Sequence, residues 1–249
     1  MSVKLGVSPI SWTNDDMPEL GKDTTVEHCL KEGKQAGFSG FELGGKWPKD
    51  SAILTPLFDK YDMDEVVIED EGLKTAINLK ATLALKSSGR NVQKFGQTKV
   101  NIVERLINRV GVSGHRGKKH KIIKGDSTGK YTKNSRIVLD AFDIIEKKMK
   151  QNPVAVLVKA IEIASPRDEV TMIEYGGARY PQAVDVSPLR RVNQSLKWIL
   201  HGASDKAFNK KKTLAQGIAE EIMLTADKSG DSFSMRKKNE AEKQADSAR

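Results

Sequence analysis

The sequence predicts a mainly α-helical body, a bundle of about six helices with a protruding β-hairpin, preceded by a short N-terminal strand–helix–strand segment. Three observations lead to this fold class. Apolar residues recur at helical spacing in six stretches after residue 97, two strand-like stretches flank a Gly-Gly pair, and charge is divided unevenly along the 249 residues. We expect an N-terminal segment over 1–56 and a helical domain over 57–249.

The N-terminal segment has the order of a single parallel crossover unit. A strand is predicted at 3–7, a helix at 24–36 with Thr24 or Thr25 as its cap, and a second strand at 38–43. These strands would lack neighbours on both sides. We therefore expect residues 1–56 to pack weakly against the helical domain or to be disordered in solution.

Six helices of the body follow from apolar periodicity and from capping residues. Their predicted bounds are about 98–109, 135–150, 153–164, 189–200, 213–227 and 234–247. Thr98 is the expected cap of the first of them. Asn152 before Pro153 is a strong start for the third, because proline at the first helical position gives up no needed donor. Strands at 169–175 and 178–186 enclose Gly176-Gly177, a suitable two-residue hairpin turn.

The net charge differs in sign between the two parts. Residues 1–56 carry −2 and residues 57–249 carry +11, which is typical of a polyanion-binding body joined to an unrelated piece. The only cysteine, Cys29, excludes an intramolecular disulfide and favours a reducing cytoplasm. No apolar run reaches the roughly 18 residues of a membrane span, so we expect no membrane association.

The stretch 86–136 has the strongest charge bias. It holds 14 lysines and arginines against two acids, and most of its cations lie in Gly-containing loops. Like charges repel one another, so this concentration favours a partner that neutralises them, such as nucleic-acid phosphate. The candidate RNA-binding residues are Lys86, Arg90, Lys94, Lys99, Arg116, Lys118, Lys119, His120, Lys121 and Lys124. The alternative is a basic surface that serves solubility alone.

The hairpin is the second candidate for RNA binding. Arg179 and Tyr180 follow its turn, and Arg190 and Arg191 begin the next helix. A two-stranded arm is only marginally stable by itself, so we expect it to lie on a partner. Arginine would contact RNA phosphate and tyrosine would stack on unpaired bases. A hairpin packed on the protein's own helices is the alternative.

Patterns that indicate catalysis are weak. None of the four histidines has a metal-ligand spacing, and no phosphate loop, nucleophile elbow or dinucleotide glycine pattern occurs. We therefore predict no enzyme activity, no catalytic residue, no metal ligand and no cofactor. An architectural protein that binds duplex DNA remains an alternative to an RNA-binding protein.

Three segments of the body resemble the small-subunit ribosomal proteins of the S-seven family in their archaeal form. They are KVNIVERLIN at 99–108, NPVAVLVKAIE at 152–162 and IEYGGARYPQAVDVSPLRRV at 173–192. The loop GHRGKKHK at 114–121 is longer than in bacterial members. The resemblance extends from about residue 57 to the C-terminus.

This resemblance implies a structural protein of the small ribosomal subunit in the cytoplasm. It would bind the 3′ major domain of small-subunit rRNA and help nucleate assembly of the subunit head, beside neighbouring head and platform proteins. The hairpin would lie near the exit-site tRNA and the mRNA. Loops 86–99 and 116–124 match the family's rRNA-contacting regions, and Arg179, Arg190 and Arg191 match its hairpin and the helix that follows.

Residues 1–63 resemble a different family, the inosose dehydratases, whose fold is a sugar-isomerase-like TIM barrel. The resemblance rests on GVSPISWTNDDMPELG at 6–21 and AGFSGFELGGKWPKD at 36–50. Such a barrel needs about 200 residues or more to close, so only its first strand, helix and second strand would be present. A sugar dehydratase fragment or fusion, judged inactive, is therefore the alternative function.

Overall fold

The protein is represented by a computed structural model that divides into two compact units. The first comprises residues 1–67 and 79–83, and the second comprises residues 68–78 and 84–249. The residues that the structure describes are 6–7, 12–13, 19, 21–36, 38, 40–41, 47–48, 53, 56, 66, 68–79, 93–112, 115–116, 121–122, 129–208 and 210–249.

The N-terminal unit contains the predicted strand–helix–strand crossover. Strand β1 (Gly6–Val7) pairs in parallel with β2 (Gly40–Phe41), and helix α1 (Val26–Gln35) connects them. Thr25 is the cap, because its side chain accepts a hydrogen bond from the backbone N–H of His28. The predicted elements are therefore present, with strands shorter than expected in the described residues.

An aromatic cluster packs beside α1 in this unit. Phe41 lies 5.5 Å, centroid to centroid, from both Trp12 and Trp47, and these rings cover the buried Cys29 and Leu30. The indole N–H of Trp12 also donates to the carboxylate of Glu32 at 2.6 Å. Burial of these rings removes apolar surface from water and stabilises this cluster.

The second unit is helical, as predicted, with one long β-hairpin. Its helices are α2 (Glu71–Lys74), α3 (Ile102–Gly111), α4 (Tyr131–Met149), α5 (Pro153–Ala164), α6 (Pro188–Ala207), α7 (Leu214–Ala226) and α8 (Phe233–Asp246). A 3-10 helix (Gly96–Lys99) precedes α3, a short antiparallel pair joins β3 (His115–Arg116) to β4 (Lys121–Ile122), and the hairpin consists of β5 (Asp168–Tyr175) and β6 (Ala178–Asp185).

Helix α3 begins later than predicted, because Asn101 rather than Thr98 is its cap. The side chain of Asn101 accepts from the N–H of Val103 at 2.9 Å, whereas the hydroxyl of Thr98 donates to the carbonyl of Phe95. A local side-chain bond of this kind favours a turn over a continuing helix. Residues 96–99 accordingly form a separate 3-10 turn.

Two further boundaries differ from the predictions. Helix α4 begins at Tyr131, four residues before its expected start, and α6 continues to Ala207, seven residues past its expected end. The extension of α6 is buried at Ala203 and Ala207. The helix extends beyond residue 200 because these small residues pack in the core, although few large apolar residues follow position 200 in the sequence.

The core of this unit lies among α3 to α7. Its fully buried large side chains include Ile102, Leu106, Ile145, Leu157, Ile161, Leu196, Ile199, Ile218 and Ile222. Each contributes about 1.5–3 kcal/mol by leaving water. The crossing of α6 and α7 is close, because a Cβ atom at Gly217 would lie 2.6 Å from the carbonyl oxygen of Ala203.

A buried carboxylate fastens the C-terminal helix α8. Glu221 of α7 is fully buried and accepts hydrogen bonds from the hydroxyls of Ser232 and Ser234 and from the N–H of Ser234, at 2.9–3.0 Å. The ammonium of Lys206 lies 2.9 Å from its other oxygen. A buried charge that is paired and hydrogen-bonded in this way orients α8, which in turn contacts the base of the hairpin.

Candidate nucleic-acid interface

The first basic loop is fastened to the helical body at its C-terminal end. The side chain of Asn78 donates to the carbonyl of Lys99 at 2.6 Å, and that of Asn193 on α6 donates to Gln97 at 3.2 Å. Lys94 and Lys99 are both exposed. The two candidate cations that the structure describes in this loop are thus presented to solvent from a fixed backbone.

Arg105 is also a cation of this region, but it is buried. Its guanidinium donates to the carbonyl of Ala76 at 2.6 Å and to the side chain of Asn193 at 3.0 Å. Burial lowers the pKa of Arg105 to about 10, so the group remains charged at neutral pH. This arginine supports Asn193, which holds the loop.

The second basic loop contains a structured element that the sequence did not reveal. Strands β3 and β4 pair antiparallel, with Arg116 opposite Lys121. Their four-residue connection carries Lys118, Lys119 and His120. So dense a run of cations along the sequence suits a run of phosphates. Among the candidate residues, Lys86, Arg90, Lys118, Lys119, His120 and Lys124 lie outside the described residues.

The distal half of the long hairpin is exposed on both faces. Every residue from 171 to 182 is exposed, and Gly176 and Gly177 form the turn with φ angles of 59° and 79°. Tyr180 stands opposite Ile173 in the ladder and is 58% exposed. Arg179 lies 3.4 Å from Glu174 on the neighbouring strand. The tip therefore presents an aromatic surface with little net charge.

Arg190 belongs to the base of the hairpin. Its guanidinium binds both carboxylate oxygens of Glu169, at 2.5 and 2.7 Å, which raises its pKa above the ordinary value. The side chain remains 57% exposed. Arg190 can therefore keep this ion pair and still present part of its positive charge to a partner.

Arg191 is placed differently, although it is the next residue. Only 10% of its side chain is exposed, and its guanidinium donates to Asp70 at 2.6 Å. Asp70 also caps α2 through the N–H of Gly72, and the hydrogen bond from Arg191 is the main cause of its lowered pKa. The geometry gives Arg191 a structural role inside the body, and its contact with RNA stays a prediction.

Sequence reasoning did not single out Phe95 among the residues of this interface. Its side chain is 61% exposed and lies beside Lys94, whose ammonium is 5.3 Å from the ring centroid. The pattern that could have identified it is a lone aromatic residue between a lysine and a glycine, outside any apolar periodicity.

The described residues offer little support for other classes of site. Within them, no group of three or more His, Cys, Asp or Glu side chains is arranged to hold a metal ion. None of the helices that the structure describes combines the length and apolar character needed to cross a membrane.

Comparison with known proteins identifies the family. Residues 78–249 match the family described as ribosomal protein S7p/S5e. The protein named small ribosomal subunit protein uS7 from Nanoarchaeum equitans is 46% identical over 194 residues, which are 78% of this chain and 98% of that protein. The protein of the same name from Methanothermobacter thermautotrophicus is also 46% identical, over 196 residues, which are 78% of this chain and 100% of that protein. The protein of that name from Archaeoglobus fulgidus is 44% identical over 78% of this chain and 94% of its own.

These matches bear on both predicted resemblances. They confirm the one made for the body, in its archaeal form, whereas the resemblance of residues 1–63 to inosose dehydratase gains no support from them. The family is one of ribosomal proteins, so the chain is not an enzyme. It belongs to the ribosomal protein S7p/S5e family.

Proposed function

We propose that this protein is a structural constituent of the small ribosomal subunit and binds the 3′ major domain of small-subunit rRNA. The observation that carries the proposal is the near-complete coverage of relatives named small ribosomal subunit protein uS7, at up to 46% identity. The exposed lysines of the first basic loop and the pairing of Arg116 with Lys121 in the β3–β4 register support it. Their partner would be the phosphate backbone, recognised with the shape of the folded RNA.

The proposal includes a role in assembly. A protein that neutralises phosphates with two basic loops can hold separate RNA segments together, and helix α3 (Ile102–Gly111) separates the two basic loops of this chain in sequence. By doing so it would help nucleate the head of the subunit, in the cytoplasm, next to other head and platform proteins.

The exposure of the hairpin supports a position of this element near the tRNA and the mRNA that the subunit binds. Its distal half is exposed on both faces, and it presents Tyr175 and Tyr180 to solvent. We place this arm near the exit-site tRNA and the mRNA. A photoreactive amino acid at position 180, in subunits carrying exit-site tRNA, should crosslink to that tRNA or to the mRNA; crosslinks to neither would contradict the placement.

Binding to rRNA is tested by a salt series with the full chain and a transcript of the 3′ major domain. We expect tight binding in dilute buffer, a linear decline of the logarithm of the binding constant with the logarithm of salt concentration, and preference over duplex DNA of equal length. No binding in dilute buffer, or preference for the duplex, would overturn the proposed function.

A further inference from the structure

The backbone of Phe95 is in a conformation that phenylalanine rarely adopts. Its φ and ψ angles are 61° and 11°, in the left-handed region, and its ring is 61% exposed. Both features oppose folding, because the conformation crowds the side chain and the exposed ring orders water. A residue with two unfavourable features at one position is a candidate for a binding role.

The surroundings hold Phe95 in this conformation. Its carbonyl accepts from both the N–H and the hydroxyl of Thr98, at 3.0 and 2.9 Å, and the N–H of Gly96 donates to Gln93. Asn78 and Asn193 fasten the following residues to the body. The ring therefore projects from a rigid support, so little conformational entropy would be lost when it binds a partner.

One cation lies beside the ring, and a second is exposed four residues further along the sequence. The ammonium of Lys94 lies 5.3 Å from the ring centroid, and Lys99 is exposed at the end of the same 3-10 turn. Residues 86–99 contain four basic side chains and no acidic one. An aromatic plane with a cation beside it matches the two parts of an unpaired nucleotide, the base and its phosphate.

We propose that Phe95 stacks on an unpaired base of the bound RNA while Lys94 and Lys99 contact adjacent phosphates. The inference rests on the proposed function and adds a residue with a defined contact. An apolar pocket of a neighbouring protein would also accept the ring, but the one-signed charge around it favours a polyanion.

The test compares four variants with the unsubstituted chain on the transcript of the 3′ major domain. Phe95→Tyr keeps an aromatic plane, Phe95→Leu keeps an apolar side chain without one, and Phe95→Asn has neither but tolerates the left-handed backbone. Leu139→Ala, which shortens a 55% exposed apolar side chain on α4, is the matched control.

We expect Phe95→Leu and Phe95→Asn to weaken binding by roughly 5- to 100-fold, with an unchanged salt slope since no charge is lost. Phe95→Tyr and Leu139→Ala should bind within about twofold of the unsubstituted chain. The melting temperature of Phe95→Asn should stay the same or rise, because the substitution relieves the backbone and removes an exposed ring.

Three results would overturn the inference while leaving the proposed function intact. The first is that Phe95→Asn binds as tightly as the unsubstituted chain, and the second is that Phe95→Leu binds as tightly as Phe95→Tyr. The third is a fall in the melting temperature of Phe95→Asn by more than about 4 °C, which would show that the ring stabilises the fold. Failure of the unsubstituted chain to bind the transcript would overturn the proposed function and this inference together.

Discussion

At the scale of residues, the adjacent Arg190 and Arg191 have different ion-pair partners because they lie on different sides of helix α6. Successive residues of an α-helix point about 100° apart, so one can face the core while its neighbour faces the rim. Arg191 reaches Asp70, and Arg190 reaches Glu169 at the hairpin base. Each binding partner is remote in sequence, which is why both residues looked equally suited to RNA.

The Asp70–Arg191 pair predicts a pH-dependent stability. Because Arg191 lowers the pKa of Asp70, the stabilisation is complete above the ordinary value of 3.8 and is lost as the pH falls through the lower folded-state value. Asp70→Asn should reduce the free energy of unfolding by about 1.5–3 kcal/mol at pH 7, since it leaves the guanidinium without its charged partner. The amide can still cap α2.

Urea unfolding at pH 7 and at pH 3 measures this effect. The difference between the variant and the unsubstituted chain should shrink at the lower pH, while Asp140→Asn on the exposed face of α4 should change little at either pH. A difference that stays constant between the two pH values would show that the charge of Asp70 does not stabilise the fold.

At the scale of elements, the close crossing of α6 and α7 requires glycine at position 217, because glycine has no side chain. Alanine normally stabilises a helix interior by about 1 kcal/mol relative to glycine. At position 217 its Cβ would stand 2.6 Å from the backbone oxygen of Ala203, and backbone cannot rotate aside. Gly217→Ala should therefore destabilise the protein by about 1–3 kcal/mol.

Thermal unfolding monitored by circular dichroism tests the sign of that change. Gly230→Ala, at a position where an added Cβ meets nothing within 4 Å, is the control and should leave the melting temperature nearly unchanged. A melting temperature for Gly217→Ala at or above that of the unsubstituted chain would mean that the helices separate without cost.

The lysines between β3 and β4, with Lys121 at the start of β4, are expected to contact RNA phosphates directly. Replacing Lys118, Lys119 and Lys121 with alanine should weaken RNA binding and reduce its salt slope by roughly one unit for each lost phosphate contact. Stability should change little, since lysine side chains rarely belong to a buried core.

A charge-matched variant separates local contact from net charge. Lys147, Lys148 and Lys243 are exposed on α4 and α8, and their replacement by alanine removes the same three charges. We expect a smaller effect on the salt slope from this variant. Equal slopes for the two triple variants would contradict direct contact by the β3–β4 turn.

At the scale of the whole molecule, the family match covers residues 78–249 and leaves the residues before them outside it. The family match begins at residue 78, and the N-terminal unit has its own aromatic cluster. Its parallel pair has two residues in each strand among the described positions. A two-stranded pair of this kind is only marginally stable by itself.

Limited proteolysis of the full chain tests the stability of that unit. We expect cleavage within residues 1–55 at protease concentrations that leave the helical body intact, because a two-stranded pair with a single crossover helix adds little resistance to local unfolding. Mass spectrometry of the products locates the cuts. Resistance of residues 1–55 equal to that of the body would refute the expected weakness.

The sequence by itself determined the helical class, the hairpin with its Gly-Gly turn, the helix starts at Asn152 and Thr213 and the basic character of two loops. These properties are local, since periodicity, caps and charge density need no knowledge of distant residues. The start of α3 was placed wrongly because two capping residues compete within three positions.

Only the tertiary structure decided which cations face solvent and which are used inside. Arg105 contacts Ala76 and Asn193, and Arg191 contacts Asp70, across 29 to 121 residues of sequence. It also decided that Phe95 is exposed while Gly217 is closely packed. Such outcomes depend on which surfaces meet when the helices pack, and the packing is a property of all the elements together.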